Sequence, residues 1–183
     1  MAHIAFFTPP SAGHLNPTLG LAAELLRRGH RVTYATTAEY AARAGEVSSD
    51  VVEYEERFAG DFRNFQFSGR SLVDAMAASL AETEALLPVL RGAFPQPPDA
   101  VVYDNAAWWG RLLAAEWKAP AVQVSPMLVS NEHWSMSERY TKLSALQPRL
   151  WLFLARLGGF LRRLGTDVTA KQLLTGDGAS RRG

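Results

Sequence analysis

Short apolar runs alternate with amphipathic stretches along this chain, and that alternation limits its fold more than any other feature. Five runs read as strands: "HIAFF" from His3, "RVTYATT" from Arg31, "DVVEY" from Asp50, "DAVVYDN" from Asp99 and "PAVQVSP" from Pro120. They are rich in β-branched and aromatic residues, which suit a pleated, buried surface. Between them lie helical patterns. "PTLGLAAELLRRG" is expected to begin with Pro17 in its first turn and stop at Gly29, with Leu19, Ala22, Ala23, Leu25 and Leu26 on one apolar face. "AEYAARAG" forms a short helix ending at Gly45. "SLVDAMAASLAETEALLPVLRGAF" forms a long one, with Ser71 as N-cap and Pro88 expected to kink it or end its first segment. "WGRLLAAEWKA" follows the fourth strand. Strand–helix–strand alternation implies an α/β fold with a parallel sheet covered on both faces. The crossover rules favour a Rossmann-like, doubly wound parallel sheet of order 3-2-1-4-5.

The bulk properties remove several function classes. The chain of 183 residues suffices for one domain with a core. Its net charge of +1 gives no footprint for nucleic acid. It has no cysteine, which excludes disulfides and thiolate metal sites and fits a cytoplasmic location. The start, "MAHIAFFTPPSAGH", lacks the basic and long apolar regions of a signal peptide. The longest apolar stretch, Leu150 to Leu161, is interrupted by Arg156 and falls short of the roughly 20 residues a membrane span needs.

One short motif sits where this fold places ligands. In an open parallel sheet they bind beyond the carboxyl ends of the strands, where the strand order reverses. In order 3-2-1-4-5 that point lies between strands one and four. His14, in "GHLNP", is expected in the loop after strand one, and Asp104 ends strand four. A carboxylate there could accept one imidazole N–H and fix its tautomer. The other ring nitrogen would then be free to take a proton from a hydroxyl. Gly13 would allow close approach of a ligand, Asn16 would cap the following helix and Pro17 would start it. Two plainer accounts stay open on these residues: His14 as a solvated loop histidine, and Asp104 as a helix N-cap.

Three further segments lack a simple place. Phe58 to Gly69, "FAGDFRNFQFSG", has neither helix nor strand period but carries four phenylalanines, which points to a ligand-facing or core-capping loop. "QPRLWLFLARLGGFLRRLG" places Arg149, Arg156 and Arg163 seven residues apart on one side of a helix, with Leu150, Phe153, Leu154, Leu157, Leu161 and Leu164 as an apolar stripe. It reads either as a helix packed on its own domain with arginines in solvent, or as a membrane-surface helix. Residues 166–183 read as a tail, disordered in part.

"TPPSAGHLNPTLGLAAELLRRGHRVTYATT" and "DAVVYDNAAWWGRLLAAEWKAPAVQVSP" together resemble the N-terminal region of bacterial family 1 glycosyltransferases, above all macrolide glycosyltransferases. The resemblance covers residues 1–165. It implies one half of a GT-B fold, the N-terminal, acceptor-binding domain. It matches His14 to the general base that deprotonates an acceptor hydroxyl, and Asp104 to its carboxylate partner. The co-substrate would be a UDP-sugar or other NDP-sugar, whose nucleoside diphosphate the acceptor oxygen displaces at the anomeric carbon with inversion and without a metal. No Asp-x-Asp or His-Glu-x-x-His motif is present. Phe65, Phe67, Trp108, Met127, Trp134 and Met136 fall in regions that line the family's acceptor pocket, which implies a hydrophobic small-molecule acceptor.

The sequence departs from that family by ending where the linker and the nucleotide-sugar domain should begin. A cloned domain, a truncated gene product and one half of a split enzyme all fit, the last with a donor-binding half as partner. The face left without its neighbouring domain would favour self-association. A different class of function also stays open: a non-catalytic module that holds a lipophilic metabolite or a partner enzyme. An unrelated hydrolase or sugar-nucleotide enzyme would need a Gly-x-Gly-x-x-Gly or Gly-x-Ser-x-Gly motif, and neither occurs.

Overall fold

The computed structural model describes residues 1–55, 69–126 and 148–175, with the backbone alone at 69–72 and 175. Five strands, β1 (His3–Phe7), β2 (Arg31–Thr36), β3 (Asp50–Glu53), β4 (Ala100–Asp104) and β5 (Ala121–Val124), form one sheet of order β3-β2-β1-β4-β5. Every pairing is parallel. The order is the one expected, and it puts the reversal between β1 and β4. The helices are α1 (Ala12–Arg27), α2 (Ala38–Gly45), α3 (Gly69–Ala93), α4 (Trp108–Trp117), α5 (Pro148–Leu164) and α6 (Ala170–Thr175).

Alternation along the strands sorts the core into two layers. Ile4, Phe6, Val32, Tyr34 and Val102 face α1 and α2, where Leu15 and Ala22 complete the packing. Ala5, Phe7, Ala35, Val101 and Tyr103 face the other way, toward α3, α4, α5 and α6. Both faces are covered, so the strands are apolar almost throughout, as a parallel sheet requires. Each fully buried large side chain, such as Phe6, Phe7 or Leu157, adds about 1.5–3 kcal/mol of transfer free energy.

Several local expectations need correction. α1 starts at Ala12, so Pro17 lies inside the helix rather than in its first turn. The carbonyl of Ser11 already receives the His14 and Leu15 amides, which sets the helix going earlier. Ala23, placed by the pattern on the apolar face, is exposed. α3 begins two residues before Ser71 and continues through Pro88 to Ala93. Burial of Leu86, Leu87 and Leu90 on either side of that proline offsets the hydrogen bond it removes. Residues 166–175 are not all tail: α6 forms there, and Val168 and Leu173 are buried in the same core as α5. The aromatic segment 58–68 and the last eight residues lie outside the described residues.

The arginine-bearing helix α5 packs on its own domain. Phe153, Leu157, Phe160 and Leu161 are buried. Its arginines are not merely solvated. Arg149 Nη1 pairs with Asp74 Oδ1 at 3.2 Å, and Arg156 and Arg163 both reach Glu84. The seven-residue spacing thus runs along acidic positions of α3. Among the described residues no helix is long and apolar enough to cross a membrane.

Candidate active site

Asp104 is the last residue of β4, and the strand alternation turns its side chain to the same face as Val102, toward α1. His14 belongs to the first turn of α1, three residues past Ser11, instead of lying free in a loop. Ser11 has extended backbone (φ −146°, ψ 146°) but makes no side-chain cap. Asn16 is exposed within the helix and caps nothing. A Cβ at Gly13 would meet no atom within 4 Å, so packing does not demand glycine there.

The two side chains, 90 residues apart in sequence, meet: His14 Nδ1 donates to Asp104 Oδ2 at 2.9 Å. Asp104 is completely buried, whereas His14 keeps 25 % of its side chain exposed. The other carboxylate oxygen, Oδ1, accepts the Ala106 amide at 2.8 Å, and the Asp104 carbonyl accepts the Ala107 amide at 2.9 Å. The carboxylate is therefore fixed from two sides. That fixes the imidazole with its proton on Nδ1 and its lone pair on Nε2. Among the described residues Nε2 has no partner. A partly exposed imidazole with a free lone pair and a buried orienting carboxylate can take a proton from a hydroxyl brought within hydrogen-bond reach.

The surroundings at this edge of the sheet are polar. Thr8, Thr36 and Asp104 are all buried just beyond or at the strand ends. Tyr54 donates its hydroxyl to the Thr8 carbonyl at 3.2 Å. Thr36 Oγ1, Asn105 Oδ1 and Trp109 Nε1 are buried without a hydrogen-bond partner among the described residues. A hollow of about 360 Å3 opens at the ends of β2 and β3, lined by Thr37, Ala38, Glu39, Tyr54 and Glu55. A larger one, about 430 Å3, lies toward the opposite end of the sheet beside His3, Arg31 and Phe94, away from the dyad.

Of the acceptor-pocket expectations, Trp108 alone can be located. It is 6 % exposed and packs in the core against Phe153 of α5, with ring centroids 6.4 Å apart. It is a core residue rather than an open wall. Phe65, Phe67, Met127, Trp134 and Met136 lie outside the described residues. The neighbouring Trp109 went unmarked by sequence reasoning. Its ring stands edge-on to Tyr54 at 6.4 Å and carries the unpartnered Nε1. The adjacent Trp-Trp pair on a helix start was the signal, but periodicity does not say which ring faces the strand ends. Among the described residues no three metal-ligating side chains cluster.

No family model matches the chain. Individual proteins do. Demethyllactenocin mycarosyltransferase of Streptomyces fradiae is 40 % identical over 177 residues, which cover 91 % of this chain and 38 % of that protein. Oleandomycin glycosyltransferase of Streptomyces antibioticus is 36 % identical over 130 residues, covering 70 % of this chain and 30 % of its own length. Among solved structures, the calicheamicin glycosyltransferase CalG4 superposes with a TM-score of 0.80 at 31 % identity, over 96 % of this chain and 45 % of that one. The chain thus spans under half the length of these relatives.

Proposed function

We propose that this chain, which matches the N-terminal half of antibiotic-tailoring glycosyltransferases of GT-B fold over nearly all of its own length, binds the acceptor in an inverting sugar transfer. The acceptor is a hydrophobic natural product, such as a macrolide, bearing a hydroxyl. The donor is a UDP-sugar or another nucleoside-diphosphate sugar, held by a second, C-terminal domain of the kind that completes the relatives' length.

The chemistry assigned to this half is a single proton transfer coupled to displacement. Nε2 of His14 takes the proton of the acceptor hydroxyl. The acceptor oxygen forms the new bond to the anomeric carbon of the sugar. The bond from that carbon to the diphosphate oxygen breaks, and the nucleoside diphosphate leaves with the electron pair. Asp104 holds the imidazole in the tautomer that has its lone pair on Nε2 and stabilises the imidazolium that forms. The observation that carries this assignment is the 2.9 Å contact between His14 and Asp104 at the strand-order reversal.

The test is to join this chain to the donor-binding half of a related glycosyltransferase and supply a macrolide with a nucleoside-diphosphate sugar. The expected result is a glycosylated macrolide. Macrolide binding by the joined protein without any transfer, while the donor half binds nucleotide, would overturn the enzymatic role and leave a binding module.

A further inference from the structure

We infer that Tyr34 and Thr18 are positioning residues for His14, a role that presupposes the glycosyl transfer proposed above but is visible in the geometry alone. The turn of α1 that carries His14 lacks three ordinary fixings. Its N-cap, Ser11, makes no side-chain cap. Gly13 gives the preceding position the most flexible backbone available. Pro17 has no N–H, so the Gly13 carbonyl receives no helix bond from it. A first turn built this way is held weakly by its own sequence, and an imidazole on it would wander unless something outside the helix secured it.

The neighbouring strand supplies that restraint. Thr18 Oγ1 donates to the carbonyl of Leu15, the residue after His14, at 2.7 Å. That spends the one hydroxyl proton of Thr18, so its contact with the Tyr34 hydroxyl is one in which Tyr34 donates. The order is Tyr34 O–H to Thr18 Oγ1, then Thr18 O–H to Leu15 C=O. Both side chains are buried, Thr18 at 1 % and Tyr34 at 0 % exposure. Tyr34 is itself clamped, stacked on Phe6 of β1 with centroids 5.3 Å apart and planes 15° from parallel. Burial raises the pKa of its phenol, which keeps the donor proton in place. A rigid path therefore runs from β2 to the turn bearing His14, and His14 closes it by meeting Asp104 on β4, on the far side of β1.

The experiment reads the imidazole rather than turnover. In the chain labelled with 15N at histidine, the ring-nitrogen shifts of His14 report which nitrogen holds the proton. The unaltered chain should carry it on Nδ1. Tyr34→Phe keeps the ring and removes only the donor, and Thr18→Val keeps the shape and removes the relay. Each should shift the tautomer ratio toward Nε2–H by about tenfold, the size of one buried hydrogen bond. Thr18→Ser restores the hydroxyl and should restore the ratio. Tyr103→Phe removes a part-buried hydroxyl on the other face of the sheet, bonded to Gln123 at 3.1 Å, and should leave the ratio unchanged. An unchanged ratio in both Tyr34→Phe and Thr18→Val would overturn the inference, as would an equal shift in Tyr103→Phe. A shifted ratio in a protein that transfers no sugar would sustain the positioning role while removing the proposed reaction.

Discussion

At the scale of single residues, the dyad divides its labour by exposure. Asp104 is buried with both oxygens committed, so it orients; His14 is partly open with one nitrogen uncommitted, so it can exchange a proton. Asp104→Asn keeps the shape but can present an N–H where the imidazole needs an acceptor, which favours the wrong tautomer. In the joined enzyme this change should lower kcat by more than tenfold while acceptor affinity stays within about twofold; kcat is expected to fall less than on loss of His14 itself. Steady-state kinetics with a separate binding isotherm checks both numbers. His3, far from the dyad, offers a second residue-scale prediction. Burial and the nearby Arg31 lower its pKa from 6.5, against the opposing pull of Asp50 and Asp99. The fold thus favours the neutral ring, and below 6.5 the unfolded chain binds more protons than the folded one. Stability from this site is present above that pH and is lost as pH falls through the lower folded value. The melting temperature should drop from pH 7 to pH 5, and His3→Gln should make the drop smaller.

At the scale of elements, two glycines separate helix propensity from packing. Gly110 in α4 lies against the sheet so closely that a Cβ would come within 2.8 Å of Tyr103 Cβ and 2.9 Å of Phe7 Cβ. Gly20 in α1 has nothing within 4 Å. Gly110→Ala should destabilise by about 1–3 kcal/mol because the helix must move off the sheet. Gly20→Ala should stabilise by about 0.4–1 kcal/mol by restricting the unfolded chain. Denaturant midpoints of the two variants check the opposite signs. The α3–α5 contact gives a similar contrast. Its ion pairs are largely exposed, so Glu84→Gln should cost less than about 1 kcal/mol. Leu157→Ala, at a completely buried position beside them, should cost about 2–5 kcal/mol.

Which elements could be read beforehand follows from the same physics. The strands were legible because a doubly covered sheet needs apolar runs, and the order followed from the crossover rules. Gly29 (φ 81°) ends α1 as its backbone demands. The start of α1 was not legible, because Asn16-Pro17 is the stronger local helix signal while the real start uses only the Ser11 carbonyl. Pro88 does not end α3, since tertiary burial outweighs one lost hydrogen bond. The partners of Arg149, Arg156 and Arg163 lie on a helix some seventy residues earlier, and one sequence carries no record of such pairing. His14 and Asp104 were legible as a pair because topology alone brings their strand ends together. The Tyr34–Thr18 relay was not, because two hydroxyls in apolar patterns read as ordinary core.

At the scale of the whole molecule, the sheet is a frame that sets an imidazole from one side of the strand-order reversal against a carboxylate from the other. The chain spans under half of its relatives' length, so the acceptor side of the reaction is its proposed share. The most direct test of that role is the transfer rate of His14→Ala in the joined enzyme, measured beside the affinity for a macrolide acceptor. General-base loss predicts a fall in kcat of about a hundredfold to ten-thousandfold with acceptor affinity retained. A variant that still turned over near the unaltered rate would contradict the account, because the proton would then be leaving the acceptor by another route.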